Sequence, residues 1–186
     1  VHSSHPEGMA HTTIAGALAA WRIDDPDSAV IEIEDNGIYT EPVAIDLRDH
    51  QGLVMRSAQG RRPILRLLDY QAGRADALAV SGGSGSRFQL EGLVVSGRPV
   101  RLEGELARFT LRHSTLVPGW GLFHDCTPRH EGEPSLDIRA PEVCVTIEHS
   151  ILGSIQANID PVSNDPIRIC ISDSILDATS NEREAI

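Results

Sequence analysis

The chain has 186 residues, 40% of them hydrophobic and 23% charged, which suits one domain with a buried core. Its formal net charge is −11 and all 16 basic residues are Arg, so lysine chemistry is excluded and a protein that mainly grips nucleic-acid backbones is disfavoured. No apolar run approaches the roughly 18 to 20 residues that a membrane-spanning helix needs. We therefore expect neither nucleic acid nor membrane as partner and, since no signal peptide is visible, a cytoplasmic location.

The first predicted element is a helix. Residues 1–10 are polar, and we take them as a flexible lead-in or a cloning remnant, with one domain over residues 11–186. In the Ala-rich segment 12–21, Ile14, Leu18 and Trp21 have the spacing of an amphipathic helix. Thr12 or Thr13 can cap it.

A repeat follows the helix. Four similar segments begin at Phe88, Phe109, Val145 and Ile169, and each alternates apolar and polar residues as a half-buried strand does. We assign the runs at Val43–Leu47 and Leu65–Leu67 to the same strand of the repeat. One inward position per copy gives a first series of Ile45, Leu67, Leu90, Leu111, Ile147 and Ile171.

A second apolar series runs alongside the first. Its members are Ile33, Met55, Val80, Leu102, Ile138 and Ile159. Both series step by 21 to 25 residues, and both take one long step of 36 at the same place. A shared period of this length, with strands rather than helices, predicts an all-β fold: a parallel β-helix solenoid of about six rungs with an N-terminal capping helix. Equivalent positions then stack about 4.8 Å apart.

Stacking also predicts charge pairs on the outer surface. Arg101 is expected to meet Asp137 one rung further on, and Glu103 to meet Arg139. A second outward column alternates in sign through Glu91, Arg112 and Glu148. Such pairs favour one register, because a slip of one residue turns the core outward.

The long step marks a lateral loop inserted at residues 117–134. Loops on a rigid scaffold commonly carry function, and exposed aromatic residues dominate protein contacts. The predicted partner-binding residues are Trp120, Phe123, His124, Asp125 and His130. The spacing of His124, Cys126 and His130 matches no zinc motif, so we expect no metal and no cofactor.

Stacking brings a second set of polar residues together. Gly92, His113, His149 and Asp173 directly follow the outward charge column, one per rung. A His–Asp pair is able to move protons near neutral pH, so His113, His149 and Asp173 are the candidates for catalysis if there is any. The alternative, which we favour, is a structural polar ladder where each strand bends.

Two acidic turns, at residues 22–28 and 158–166, contain oxygen ligands of the kind that calcium prefers. Neither has the spacing of a dedicated calcium loop. We expect turn and helix-cap hydrogen bonds there instead.

These features resemble the right-handed parallel β-helix of the pectate-lyase-like superfamily, over residues 12–178. Helices like the predicted one plug such solenoids, and the segment Gly37-Ile-Tyr-Thr-Glu41 resembles the first coil of pectin-esterase-like members. The catalytic motifs of the superfamily are absent: of the Leu-Gly-Arg-Pro-Trp motif only Gly97-Arg-Pro99 remains. The resemblance therefore implies the fold and not a known carbohydrate activity.

The segments beginning at Thr115, Pro134, Ser150 and Asp173 also resemble β-helix parts of large bacterial proteins, some associated with phage-tail-like injection machinery. This resemblance implies a non-catalytic structural or interaction module, the N-terminal part of a longer solenoid. Its partner is a protein or a second copy, bound at the lateral loop or at an open C-terminal rung near Ile171 and Ile175. The alternative is a polysaccharide-binding or polysaccharide-processing domain.

Overall fold

The computed structural model describes residues 2–3, 10–67, 78–118, 123–125, 132–158, 166–178, 182 and 184–186. In chain order its elements are β1 His2–Ser3, α1 Ile14–Asp24, β2 Ser28–Ile33, β3 Ile38–Tyr39, β4 Val43–Leu47, β5 Gly52–Ser57, β6 Ile64–Arg66, β7 Leu78–Gly82, β8 Arg87–Glu91, β9 Val94–Gly97, β10 Val100–Gly104, β11 Arg108–Arg112, β12 Thr115–Pro118, β13 Leu136–Ile138, β14 Cys144–Glu148, β15 Ile151–Leu152, β16 Ile155–Ala157, β17 Arg168–Ser172 and β18 Ile175–Leu176.

The strands form three sheets within the described part of the chain. Sheet A has the order β1-β2-β5-β8-β11-β14-β17, sheet B β18-β15-β12-β9-β6-β3, and sheet C β16-β13-β10-β7-β4. From β2 onward the chain visits A, B and C in turn, and every pairing except β1–β2 is parallel. This stacking fits the predicted parallel β-helix-like solenoid.

The register of the later repeats is confirmed. Phe88, Phe109, Val145 and Ile169 lie side by side in sheet A, and Leu90, Leu111, Ile147 and Ile171 form the next inward column. Phe88 and Phe109 stack with ring centroids 6.0 Å apart. Both rings are buried, so they join adjacent passes of the chain in the core.

The two earliest members of the first series are wrong. Ile45 lies in sheet C beside Val80, and Leu67 follows β6 of sheet B. In sheet A, the residues that precede Leu90 in its column are Met55 in β5 and Ile31 in β2. All three sheets share one period and one alternation, so the pattern alone does not say to which sheet a run belongs.

The second series needs the matching correction. Val80, Leu102 and Ile138 do stack in sheet C, but Ile33 and Met55 belong to sheet A. Ile159 lies outside the described residues. The corrected columns contain a second long step, of 35 residues from Met55 to Leu90, and residues 68–77 of that step are not described.

Helix α1 begins as predicted. Thr13 is its N-cap, with Oγ1 accepting a hydrogen bond from the backbone N–H of Gly16 at 3.0 Å. Ile14, Leu18 and Trp21 are buried and belong to the core cluster. The helix therefore covers the N-terminal end of the solenoid, which β2 and β4 form. It ends at Asp24, three residues beyond the predicted segment.

Of the expected lead-in, His2–Ser3 forms β1 and pairs antiparallel with β2, which the sequence did not indicate. Among the described residues, no helix has the length and apolar character needed to cross a membrane.

Candidate functional site

The predicted polar column lies at the turns that lead from sheet A to sheet B. His113, His149 and Asp173 follow β11, β14 and β17, with φ angles of 48°, 49° and 47°. Gly92, with φ of 77°, occupies the equivalent place after β8. Left-handed backbone at one residue per turn bends the chain sharply, and that bend sets the column's position.

The structure brings the three candidate catalytic side chains together. The His113 and His149 rings stack with centroids 5.0 Å apart and an interplanar angle of 23°. The Nε2 atom of His149 lies 3.7 Å from Oδ2 of Asp173. These side chains are exposed, so solvent screens their charges, and the arrangement serves packing at a corner as readily as proton transfer.

One end of this column borders a groove of about 580 Å³. Its lining carries both signs of charge: Glu32, Arg56, Ser57, Ala58, Gln59, Gly60, Arg61, Arg62, Glu91, Gly92 and His113. The Arg62 guanidinium donates a hydrogen bond to the His113 carbonyl oxygen. A Cβ at Gly92 would lie 2.0 Å from Ser57 Oγ, so a larger residue there would have to displace the Ser57 side chain.

A ladder of serines supports the same turns, and sequence reasoning missed it. Ser114, Ser150 and Ser174 each follow a column residue and donate from Oγ to the carbonyl oxygen two residues earlier, at 2.7 to 2.8 Å. The Oγ atoms of Ser150 and Ser174 also accept from the backbone N–H of Ser114 and Ser150 respectively. The ladder satisfies backbone groups that the bends leave unpaired, which favours the structural reading of the column.

The lateral loop is described only in part. Phe123, His124 and Asp125 are exposed, with Phe123 retaining 54% of its surface. Trp120 and His130 lie outside the described residues. Near the end of the loop, Glu133 forms a 2.8 Å ion pair with Arg98, which follows β9. This half-buried pair fixes the point at which the insertion returns to sheet C.

A buried carboxylate on the outer face of sheet C was not foreseen. Asp137 pairs in register with Arg101 as predicted, with Arg101 Nε 3.2 Å from Oδ2. However, Asp137 is only 4% exposed and is not on the open surface. Arg139 also contacts Oδ2 at 3.0 Å, instead of meeting Glu103, and Asn158 Nδ2 donates to Oδ1 at 2.7 Å. The cluster holds together three adjacent strands.

The other predicted charge column has the expected register. Arg112 lies between Glu91 and Glu148, and its Nε is 2.8 Å from Glu148 Oε2. The alternation continues to the earlier strands, where Arg56 contacts Glu32 at 2.8 Å. From Glu32 to Glu148 each arginine of this column therefore lies between two glutamates.

The first acidic turn is occupied by an arginine. Asp25 and Asp27 accept hydrogen bonds from Arg48, and these bonds raise the pKa of the Arg48 guanidinium above its usual value. In the second turn, residues 159–165 are outside the described part. Within the described ranges, no three His, Cys, Asp or Glu side chains are grouped as metal ligands would be.

Sheet B presents a third kind of surface. One outward column runs in register along its six strands through Ile38, Ile64, Val94, Thr115, Ile151 and Ile175. The residue after each of these faces the core, as Leu65 and Val95 show. Arg66 is the one charged residue in the six strands. We call the outward column the apolar stripe.

The stripe ends at a pair of edge strands. β17 and β18 are the last strands of sheets A and B. Ile171 is 38% exposed, whereas Ile147 beside it is fully buried, and Ile175 is 60% exposed. In sheet C, by contrast, the Ala185 carbonyl accepts a hydrogen bond from the backbone N–H of Ile155 in β16 at 2.8 Å.

The stacked parallel sheets define a β-helix-like solenoid. Comparison with protein-family models, with curated proteins and with solved structures finds no match to this chain.

Proposed function

We propose that the chain is a non-catalytic interaction module whose partner is a second copy of itself, bound through the apolar stripe. The carrying observation is the outward column on sheet B, which is aliphatic at every position except Thr115 and of which Ile38, Ile151 and Ile175 are about half exposed or more. Monomeric proteins seldom leave a contiguous apolar surface uncovered. Interface cores are depleted of charge, as this surface is.

The charges of the other two faces support this choice of surface. Sheet A carries the alternating column of Glu32, Arg56 and Glu91, and sheet C carries Arg101 and Asp137. The chain has a net charge of −11, so two copies repel each other wherever acidic groups face one another. Sheet B is the face on which two copies approach with the least charge between them. A twofold axis makes one such surface its own partner.

The edge strands extend the proposal. Among the described strands, β17 and β18 have no neighbour on their outer side, next to exposed Ile171 and Ile175, and such edges accept another strand. An assembly in which a further strand covers this end is in keeping with the resemblance to β-helix segments of large bacterial proteins. We infer also that the solenoid is right-handed, as parallel crossovers almost always are, and has about six rungs, as β2 to β17 of sheet A suggest.

The test is the mass of the protein in solution across a range of concentrations, by size exclusion with light scattering. We expect wild type to self-associate and the double variant Ile151→Thr/Ile175→Thr to be monomeric, since threonine keeps the strand propensity but removes apolar surface. Val54→Thr makes the same type of change at an outward position of sheet A and should leave association unchanged. A wild type that is monomeric throughout would contradict the proposal.

A deletion of residues 118–133 separates the stripe from the lateral loop. If the stripe is the interface, the deletion variant still associates. If the deletion alone yields a monomer while the double threonine variant still dimerises, the loop is the contact surface and the stripe is not.

A further inference from the structure

The outer face of sheet A has two charge columns, one at each end of its strands, and they differ in kind. At the ends of the strands the column alternates in sign, as Arg56, Glu91 and Arg112 do. At the starts of β8 and β11, Arg87 and Arg108 lie directly opposite each other in register. Like charges in this position repel across a strand spacing of about 4.8 Å.

Within the described part of the chain, no acidic side chain offsets the repulsion between these two arginines. Among the described residues, no carboxylate lies within ion-pair distance of either guanidinium, although both are exposed and the chain as a whole is strongly acidic. The nearest acidic turn does not supply one, because Asp25 and Asp27 are engaged by Arg48. The pair is therefore a concentrated positive site on a negative protein.

A groove lies beside the pair. Its volume is about 460 Å³, within the range of small-molecule sites, and both guanidinium-bearing residues line it. In the two preceding strands the position of these arginines is taken by Ser28 and Gly52. Their small side chains leave the space that forms the groove. Gln89 and Thr110 offer polar groups along its side. The groove is thus large enough for an organic group attached to an anion.

We infer that Arg87 and Arg108 together bind a tetrahedral oxyanion, the phosphate or sulfate group of a small molecule that lies in this groove. A guanidinium presents two parallel N–H donors to an anion, so two guanidiniums offer four. Phosphate and sulfate have four oxygens and can accept from both forks, whereas a carboxylate has two. Binding also removes the repulsion between the two arginines. The site lies on sheet A and is independent of the apolar stripe.

The direct test is titration calorimetry with inorganic phosphate and with sulfate, at fixed ionic strength, using acetate as the planar control. Wild type should bind both tetrahedral ions and should not bind acetate measurably. Arg87→Gln and Arg108→Gln should each weaken binding about 10- to 100-fold through the loss of charged hydrogen bonds. Arg168→Gln is the matched control, since Arg168 stands in the same column but is separated from Arg108 by Cys144. It should change binding less than about twofold, since it makes no direct hydrogen bond to the anion.

Thermal unfolding gives a second readout that does not depend on weak calorimetric heats. Without ligand, Arg87→Gln should unfold at a temperature no lower than wild type, because it removes a repulsion. With phosphate, wild type should gain thermal stability and the variant should not. Phenyl phosphate and phenyl sulfate then distinguish an ester ligand from the free ion, and an ester that gains affinity from the groove binds more tightly than the ion. Equal binding of acetate and phosphate, or no difference between Arg87→Gln and Arg168→Gln, would overturn the inference.

Discussion

The carboxylate of Glu41 accepts a hydrogen bond from the backbone N–H of Ile14, the first residue of α1, with Oε1 3.0 Å from the nitrogen. Its second oxygen accepts from Ala15 at 2.8 Å. The first N–H groups of a helix have no partner within the helix, and a negative charge there is favourable. Glu41 lies in the turn between sheets B and C, so this contact joins the capping helix to the first pass of the solenoid.

Replacing Glu41 tests that connection. Glu41→Ala should lower the free energy of unfolding by about 0.5–2 kcal/mol, the usual cost of a lost helix cap. Glu105→Ala, at an exposed glutamate in another turn, should change it by less than about 0.5 kcal/mol. Urea unfolding followed by circular dichroism measures both. Equal effects of the two substitutions would show that Glu41 does not hold the helix.

Asp137 should be the most sensitive charged position of sheet C. Asp137→Ala removes the acceptor that Arg101, Arg139 and Asn158 share, and we expect the free energy of unfolding to fall by about 2 kcal/mol or more, because several hydrogen bonds to one charged group are lost together. Asp46→Asn is the control on the same sheet, since the Asp46 side chain is 75% exposed. Unfolding of both variants in urea provides the comparison. A loss below about 0.5 kcal/mol at Asp137 would mean that the arginines simply return to solvent.

The left-handed turns predict an unusual order of substitutions at His149. His149→Val should destabilise the fold by about 1–2 kcal/mol, because a β-branched residue does not fit a φ angle of 49°. His149→Gly should cost less, since glycine suits that backbone and Gly92 already fills the equivalent place after β8. Chemical unfolding of the two variants gives the order. If glycine costs as much as valine, the stacked ring of His113 and not the backbone determines the residue type.

How far the sequence predicted this structure depends on the feature. The alternation at Phe88, Phe109 and Val145 was enough to give the register, because one buried face repeats at a constant interval. The register predicted for the first two passes of the chain was wrong, because Val43–Leu47 alternates in the same way but belongs to sheet C. A pattern of period two reports burial, and it does not report which of three similar sheets buries the residue.

The candidate site was predictable to a similar extent. The equal positions of His113, His149 and Asp173 after their strands were visible in the aligned repeats, and the structure brings the three together. The burial of Asp137 was not visible, because it depends on Arg139 and Asn158 folding over it. The apolar stripe was present in the second strand of each repeat, at Ile151 and Ile175 among others. It was not recognised because sequence alone does not show which side of so short a strand faces solvent.

The turn before β3 gives a prediction that depends on pH. Asp35 Oδ1 accepts from the Tyr39 hydroxyl at 2.9 Å and from the backbone N–H of Gly37 at 2.8 Å. Burial, together with the bond to Asp35, raises the pKa of Tyr39 to about 12, and the bonds from Gly37 and Tyr39 lower the pKa of Asp35 below 3.8. A raised phenol pKa stabilises the fold below pH 10.0, its ordinary value, and that contribution is lost as pH rises through about 12. The lowered carboxyl pKa contributes above 3.8 and is lost as pH falls below it.

The Tyr39 phenol can be titrated alone, because the chain has two tyrosines and Tyr70→Phe removes the other. In that background the phenolate absorbance should rise with a midpoint near 12. Adding Asp35→Ala should lower the midpoint part of the way towards 10.0 and not the whole way, because burial is the larger cause of the shift. Circular dichroism at each pH shows whether the fold is still intact. A midpoint near 10.0 in the folded Tyr70→Phe protein would mean that the ring is solvated and the bond to Asp35 is not formed.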